Sequence, residues 1–293
     1  MNGLKIRNIN NAIHFHVVMI GLGANGSHVF RSMLQDMSTY ISSTRIRNQS
    51  FDITIADADK VERKNLNNQL FDEDDIGEYK VRALAERYGE HYNLNVKAIP
   101  QYITDINVLK ELFTIASGSN YKTIPILIGT VDNNRTRQLM DEFFHNDHLD
   151  ELIYIDAGVE GVTVIPGKQP YQYSKEEIAM IDQSGFSGQV VVGYKSNHQV
   201  WLPPICRVFE DILVDEKTAF PGQSCGEAII NNPQRCATNK FAAQIVNNVL
   251  NNVLHTQTIF THVLNFNAQV SGVTPTYISR DLLKEYEMKK ESV

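Results

Sequence analysis

This sequence of 293 residues contains few cysteines and no long apolar run. The three cysteines, Cys206, Cys225 and Cys236, include no CxxC pair, so the sequence predicts neither a disulfide framework nor a four-thiolate zinc site. The longest apolar stretch near the start, residues 17–24, contains glycines and is far below the roughly 20 residues of a bilayer span. The first residues also lack the apolar core of a secretory signal. We therefore expect a cytoplasmic protein without a membrane span.

Positive charge is also in short supply, since 27 Lys and Arg residues face 34 Asp and Glu residues, giving a net charge of −7. Such a chain lacks the overall positive field that binding to a nucleic-acid backbone requires. Its 42% hydrophobic and 21% charged residues are typical of a globular protein. We expect one large or two modest folded domains, and no nucleic acid as the main partner.

Several catalytic signatures are missing. The sequence contains no G-x-S-x-G elbow and no Walker A lysine motif, which excludes the usual serine hydrolases and P-loop kinases. The nine histidines include His14 and His16 in the first strand but show no HExxH or other metal spacing. We interpret all of them as ordinary structural or surface residues.

Alternating apolar runs and helical patterns make up the first half of the chain. Strands are predicted at 16–20, 51–56, 96–99, 124–128 and 152–155, and helices from 26, over 80–92, over 107–116 and from about 133. This order predicts an α/β, Rossmann-like, doubly wound, mostly parallel sheet. Residues 161–293 are expected to form a β-rich part, with strands at 162–165 and 188–194 and a late helix. We predict a nucleotide-binding half, 1–160, and a partner-binding and dimerisation half, 161–293.

The late helix, predicted over 239–254, has a broad apolar face with asparagines opposite. We interpret the asparagines as a solvated face. Such a face is typical of a core helix or of a dimer helix. Because it is wider than a small terminal domain readily covers, we expect a homodimer.

The turn from Gly21 to Gly26 reads G-x-G-x-x-G between a predicted strand and a predicted helix. Glycines there permit a tight turn and close approach of a nucleotide, whose phosphates the helix N-terminus favours. Glycine turns also end ordinary strands, so a purely structural turn is the alternative. Asp57, 31 positions beyond Gly26, is a candidate ribose ligand, as in NAD-binding folds. An NAD-dependent oxidoreductase is thus one hypothesis, although Lys80 has no use in hydride transfer.

Together the motifs resemble the ThiF/MoeB/E1 family of ATP-dependent activators of ubiquitin-like and sulfur-carrier proteins. The family pattern runs G-x-G-x-x-G, then D-x-D-x-V-x-x-x-N-L-x-R-Q, then a lysine, then a strand ending in D-N-x-x-x-R. The matching residues are Gly21, Gly23, Gly26, Asp57, Asp59, Val61, Asn65, Leu66, Gln69, Lys80, Asp132 and Asn133, followed by Arg135. The resemblance covers residues 14–194 and, more weakly, extends to 254, and details such as residues 188–191 resemble the ThiF-like member of bacterial PRTRC gene sets.

The resemblance implies roles for individual residues. Gly21, Gly23 and Gly26 would form the nucleotide turn, Asp57 would hold the ribose hydroxyls with Asp59 beside it, Asn65, Asn68, Gln69 and Lys80 would contact the phosphates, and Asp132 would bind Mg²⁺. It implies adenylation of the C-terminal carboxylate of a small ubiquitin-like or sulfur-carrier protein, with ATP and Mg²⁺ as cofactors. Lys80 and Asp132 would then be catalytic, because they neutralise charge during transfer.

The chain departs from the family pattern at three points. Asn68 stands where the family has an arginine, which weakens one phosphate contact and favours a rival hypothesis, a nucleotide-binding interaction module without turnover. The family's paired CxxC motifs are absent, so no structural zinc is expected. Arg7 is the one candidate for the arginine that relatives supply from a partner subunit. For a thioester step, Cys225 is the first candidate nucleophile, ahead of Cys236 and Cys206.

Overall fold

The structure, a computed structural model, describes residues 3–6, 12–42, 49–114, 121–215, 220 and 234–291. Its strands are β1 Leu4–Lys5, β2 Ala12–Ile20, β3 Gln49–Ala56, β4 Val96–Ile99, β5 Tyr121–Gly129, β6 Leu152–Val159, β7 Ser187–Ser196, β8 Gln199–Leu202, β9 Thr258–Ile259, β10 Thr261–Asn267 and β11 Gly272–Tyr277. Its helices are α1 Ala24–Ser42, α2 Lys80–Leu84, α3 Glu90–Tyr92, α4 Ile106–Leu112, α5 Asn134–His145, α6 Lys175–Gln183, α7 Ile205–Val208, α8 Cys236–Thr256 and α9 Arg280–Glu291, and a π-helical turn, Ala85–Gly89, joins α2 to α3.

Five parallel strands form one side of the sheet, with β4 at its edge, in the spatial order β4-β3-β2-β5-β6. The chain first winds outward from β2 through β3 to β4, and then returns to β5 on the other side of β2. The reversal leaves a crevice at the carboxyl ends of β2 and β5, which is where ligands bind in doubly wound sheets. The predicted α/β, mostly parallel fold is confirmed.

The sheet continues beyond β6 with antiparallel strands, in the order β6-β7-β10-β11, and β8 pairs with β7. The strand predicted at 162–165 is wrong, because these residues form no strand ladder. The Thr163 N–H donates to the Ser184 hydroxyl, at 2.8 Å, and not to a neighbouring strand. Val164 is 41% exposed. β-Branched residues favour a strand only where a neighbouring edge accepts them.

Two apolar layers enclose the sheet. One contains the apolar faces of α1 and α8, and the other those of α4, α5 and α7. Within the described residues, no helix is both long and apolar enough to cross a membrane.

The late helix, α8, packs against α1, β6 and β7. Its apolar face is covered within the chain, with Val246, Leu250 and Val253 at most 1% exposed. The core-helix alternative is therefore confirmed, and the argument for a homodimer from an uncovered apolar face is wrong. The homodimer stays a prediction from the resemblance.

Two of the helix's asparagines also correct an expectation. Asn239 and Asn247 are 0% and 3% exposed, and the Asn247 amide donates to the Ala243 carbonyl at 2.9 Å. A polar side chain can be buried inside a helix when it bonds one turn back, and these two are not part of a solvated face.

Candidate functional site

The glycine turn between β2 and α1 is closed by contacts within the chain. Gly21 has a φ of +90°, which favours glycine, and a Cβ on Gly26 would lie 2.1 Å from the Gly21 carbonyl oxygen. The Thr130 hydroxyl donates to the same carbonyl at 2.6 Å. Glycine is therefore required at both ends of the turn by its own geometry.

Gly23, in the middle of the turn, is different. Its φ is not in the left-handed region, and no heavy atom lies within 4 Å of where its Cβ would be. Packing and backbone strain therefore do not explain a glycine here. The space it leaves lies just before the first residue of α1, where free N–H groups and the helix dipole favour an anion.

Asp57, which follows β3, stabilises this turn through hydrogen bonds. Its carboxylate accepts the Leu22 N–H at 2.7 Å and the Asp59 N–H at 2.8 Å. Burial raises the pKa of this carboxyl, while the charge of Lys80 opposes that shift. The predicted ribose ligand thus lies beside the turn.

A paired stem brings Lys80 back to the end of β3. The Val61 N–H donates to the Glu78 carbonyl and the Lys80 N–H to the Asp59 carbonyl, both at 2.9 Å, so residues 62–76 form an excursion closed at its base. Lys80 is 5% exposed, and its Nζ donates to Asp59 Oδ2 at 2.9 Å. Two residues that are distant in sequence become neighbours in this way.

Tyr102, which sequence reasoning missed, completes this group. Its hydroxyl donates to Asp59 Oδ1 at 2.5 Å. Burial and this hydrogen bond raise its pKa, and so do the charges of Asp57 and Asp132. Burial disfavours the charged form of Asp59 and so raises its pKa. The charge of Lys80 and the hydrogen bond from Tyr102 outweigh burial, and the pKa of the Asp59 carboxyl is held below its usual value.

Asp132 follows β5 and is exposed. The next residue, Asn133, is the N-cap of α5 and accepts the Thr136 N–H at 2.8 Å. The cap fixes the direction in which the chain leaves the sheet, and so places Asp132 at the crevice. Its carboxylate is near enough to affect the pKa of Tyr102.

The phosphate-contacting residues predicted at 65–69 lie beside the first turn of α1. The Leu70 N–H donates to the Ser27 hydroxyl at 3.4 Å, and the Asn68 backbone is near enough to the His28 ring to affect its pKa. Asn65 is 6% exposed and its side-chain oxygen accepts the Glu62 N–H at 2.8 Å. This segment therefore borders the glycine turn.

Two buried amide oxygens in this region lack a partner. Asn25 Oδ1, in the turn, and Gln69 Oε1 have no hydrogen-bond partner among the described residues. Buried polar atoms are normally satisfied. The basic residues near Asn68 already have acidic neighbours, since Arg63 pairs with Glu73 at 3.1 Å and Lys64 with Glu62 at 3.0 Å.

The arginine of D-N-x-x-x-R is Arg137, and its assignment to Arg135 is wrong. Arg137 is 9% exposed; its Nε donates to Asp156 Oδ1 at 3.0 Å, and its Nη2 donates to the Val131 carbonyl at 2.7 Å. The Tyr154 hydroxyl donates to the other oxygen of Asp156 at 2.9 Å. This buried group braces the loop after β5 against β6.

The remaining predicted residues divide by position. Arg7 and Cys225 lie outside the described residues. Cys236 is the first residue of α8 and is half-buried. Cys206 is fully buried, and burial raises the pKa of its thiol, which opposes its use as a nucleophile.

Comparison with known proteins gives a family and a fold. The model of the ThiF family matches residues 5–284. Among solved structures, E. coli MccB with ATP superposes with a TM-score of 0.52, and MccB with AMPCPP and MccA superposes with a TM-score of 0.53. Both are 15% identical to this chain, and each match covers 92% of this chain and 64% of the MccB chain. PaaA gives a TM-score of 0.52 at 15% identity, covering 90% of this chain and 64% of its own. This chain thus spans less than two thirds of their length, and no curated protein matches the sequence.

Proposed function

The chain belongs to the ThiF family, and on this basis we propose that it binds ATP with Mg²⁺ and adenylates the C-terminal carboxylate of a small protein. The observation that carries the proposal is the position of Lys80, a buried ammonium beside Asp57 and Asp59 at the end of the strand next to the glycine turn. An oxidoreductase has no use for that charge, whereas a triphosphate needs it.

The turn fits a nucleotide in two ways. Gly23 leaves open space that neither packing nor strain explains, and Asn25 and Gln69 have buried amide oxygens without partners. The N–H groups of such a turn bind phosphate oxygens, whereas the amide oxygens can accept hydrogen bonds from donors such as ribose hydroxyls. The structure of MccB with ATP supports the same ligand for this fold.

The reaction follows from the charges around the crevice. An oxygen of the carrier's carboxylate forms a bond to the α-phosphorus, the bond from that phosphorus to the bridging oxygen breaks, and pyrophosphate leaves with the electron pair. In this proposal, the Lys80 ammonium stabilises the negative charge added during transfer. Asp132, an exposed carboxylate at the crevice, fits Mg²⁺, which takes few protein ligands and supplies charge neutralisation to the phosphates.

The partner in this proposal is a small ubiquitin-like or sulfur-carrier protein. MccB has been solved with AMPCPP and MccA together, which supports a second molecule bound beside the nucleotide in this fold. A homodimer in which Arg7 reaches the partner's nucleotide, and a thioester on Cys225, are further parts of the proposal that the resemblance suggests.

A glycine substitution tests the nucleotide site directly. ATP with Mg²⁺ should raise the Tm of the wild-type protein, whereas NAD⁺ and NADH should not, because a ligand of the folded state stabilises it. Gly23→Ala should leave the free energy of unfolding within about 0.5 kcal/mol of wild type but abolish the ATP response. Gly272→Ala, in β11, meets only the Val270 side chain at 3.5 Å and should keep the response.

An ATP response retained in Gly23→Ala would contradict the placement of the nucleotide at this turn. Stabilisation of the wild type by NAD⁺ but not by ATP would favour the oxidoreductase instead.

The second candidate function, a nucleotide-binding module without turnover, has one observation in its favour. Asn68 replaces an arginine, and the nearby Arg63 and Lys64 are paired with Glu73 and Glu62. ATP–pyrophosphate exchange with the small proteins encoded nearby separates the two hypotheses. Exchange supports adenylation, and ATP binding without exchange for any of them supports the module.

A further inference from the structure

The first halves of β2 and β3 carry a second group of polar side chains. His14 and His16 alternate with Phe15 on β2, so both lie on the same face of the sheet. The parallel register pairs His14 with Ser50 and His16 with Asp52. At about 3.3 Å per residue, His16 lies five residues, or about 16 Å, along the strand from the glycine turn. The group is therefore separate from the candidate nucleotide site.

The side chains of His14, His16 and Asp52 converge. Asp52 Oδ2 lies 3.2 Å from His14 Nε2 and 3.9 Å from His16 Nδ1, and one ligand atom from each residue lies within 4.8 Å of the others. Two ligands of a tetrahedral ion, each about 2.0–2.1 Å from it, are about 3.3 Å apart. Small side-chain rotations would bring these three atoms to that spacing.

Hydrogen bonds on the far side of each ring orient the imidazoles. His16 Nε2 lies 2.7 Å from the Leu112 carbonyl oxygen, which can only accept, so Nε2 carries the proton and Nδ1 presents a lone pair to the cluster. His14 Nδ1 lies 2.8 Å from the Ser50 hydroxyl. Metal-bound histidines are typically held by such a bond from the other ring nitrogen.

We propose that His14, His16 and Asp52 bind a divalent transition ion of the Zn²⁺ class, which joins the beginnings of β2 and β3. Two imidazoles and one carboxylate suit Zn²⁺ and its neighbours in the first transition row, whereas Mg²⁺ prefers oxygen ligands alone. The histidine side chains are 13% and 11% exposed and that of Asp52 is 67% exposed. The ion therefore enters from the Asp52 side, where water completes its coordination.

The test is Zn²⁺ binding to the full chain by calorimetry, in excess Mg²⁺ so that carboxylate sites such as Asp132 are occupied. Wild type should bind one Zn²⁺ per chain. His14→Ala and Asp52→Asn should weaken binding at least tenfold, and Ser50→Ala, which removes only the orienting bond, about tenfold. Asp52→Asn changes an exposed side chain and should fold even where His14→Ala does not.

His198→Gln is the matched control. His198 also lies near two carboxylates, with Asp150 2.7 Å from its Nε2 and Asp147 3.6 Å from its Nδ1. Because the two carboxylates face different nitrogens of the ring, the three residues cannot bind one ion together. It should bind Zn²⁺ like wild type. Co²⁺ added instead should show no sulfur charge-transfer band, because no cysteine takes part.

Three results would overturn the proposal. These are no Zn²⁺ binding by the wild type, equal binding by wild type and Asp52→Asn, and a sulfur-to-cobalt band that places the ion on a cysteine. The second result would leave His14 and Asp52 as an ordinary hydrogen-bonded pair.

Discussion

Replacing Lys80 by methionine removes one charge from the group formed with Asp59 and Asp57 while keeping the side-chain volume. Breaking a fully buried ion pair costs about 3–5 kcal/mol, and an exposed pair contributes at most about 1 kcal/mol. Lys80 is buried but the Asp59 side chain is 46% exposed, so we expect Lys80→Met to lower the free energy of unfolding by about 2 kcal/mol. It also leaves the pKa of Asp57 free to rise further, because burial is then unopposed by Lys80.

The same change should slow adenylation by about 10²–10³-fold, the usual effect of losing one group that stabilises charge in the transition state. Stability is measured by urea unfolding, and activity by ATP–pyrophosphate exchange with a carrier that supports it in the wild type. Lys122→Met is the control. It breaks the ion pair of Lys122 with Glu151, at the start of β5 and away from the crevice at the carboxyl end of that strand. It should lose stability but keep exchange.

A double variant, Lys80→Met with Asp59→Asn, separates the two effects. It removes both charges, so it should regain most of the lost stability and none of the activity. Exchange at a near-normal rate in Lys80→Met would refute the proposed role of Lys80, and an equally unstable double variant would refute the ion-pair explanation.

Two further variants test the metal ligand and the pH dependence. Asp132→Asn should fold normally, because the side chain is exposed, and should lose Mg²⁺-dependent exchange; full exchange at limiting Mg²⁺ would contradict the assignment. His262 is 0% exposed, and burial lowers its pKa to about 4. The unfolded chain, with a histidine pKa of about 6.5, then binds more protons between pH 6.5 and 4, so stability falls with falling pH, by about 2 kcal/mol from pH 7 to pH 5. Urea unfolding of His262→Gln should show a smaller decrease, and an unchanged one would contradict the pKa shift.

The central sheet was predictable because parallel strands are buried on both faces and read as short apolar runs. The strands from β2 to β6 all lie at predicted places, with ends shifted by a few residues. The antiparallel part was harder, since residues 162–165 have strand-like side chains but no neighbouring edge to pair with. Whether such a run becomes a strand depends on partners that local sequence does not identify.

The parts of the candidate site that belong to motifs of fixed spacing were predictable from the sequence. The parts that the fold brings together from distant segments were not. Asp57 and the glycine turn follow directly from strand ends. Tyr102 was missed because it lies in the loop after β4, and nothing in its sequence neighbourhood marks it. The group of His14, His16 and Asp52 depends on the register of β2 and β3, and a spacing of two histidines alone does not reveal it.

The glycine turn is held entirely by its own chain, through Asp57 on one side and Thr130 on the other. A turn fixed in this way is preorganised, so a ligand that binds there does not have to order it, a cost of about 1–2 kcal/mol for each residue fixed. That ordering is instead part of folding, where the ends of β2, β3 and β5 meet. Affinity for the ligand is therefore coupled to the stability of this three-strand junction, and a substitution that loosens the junction weakens binding without touching the ligand.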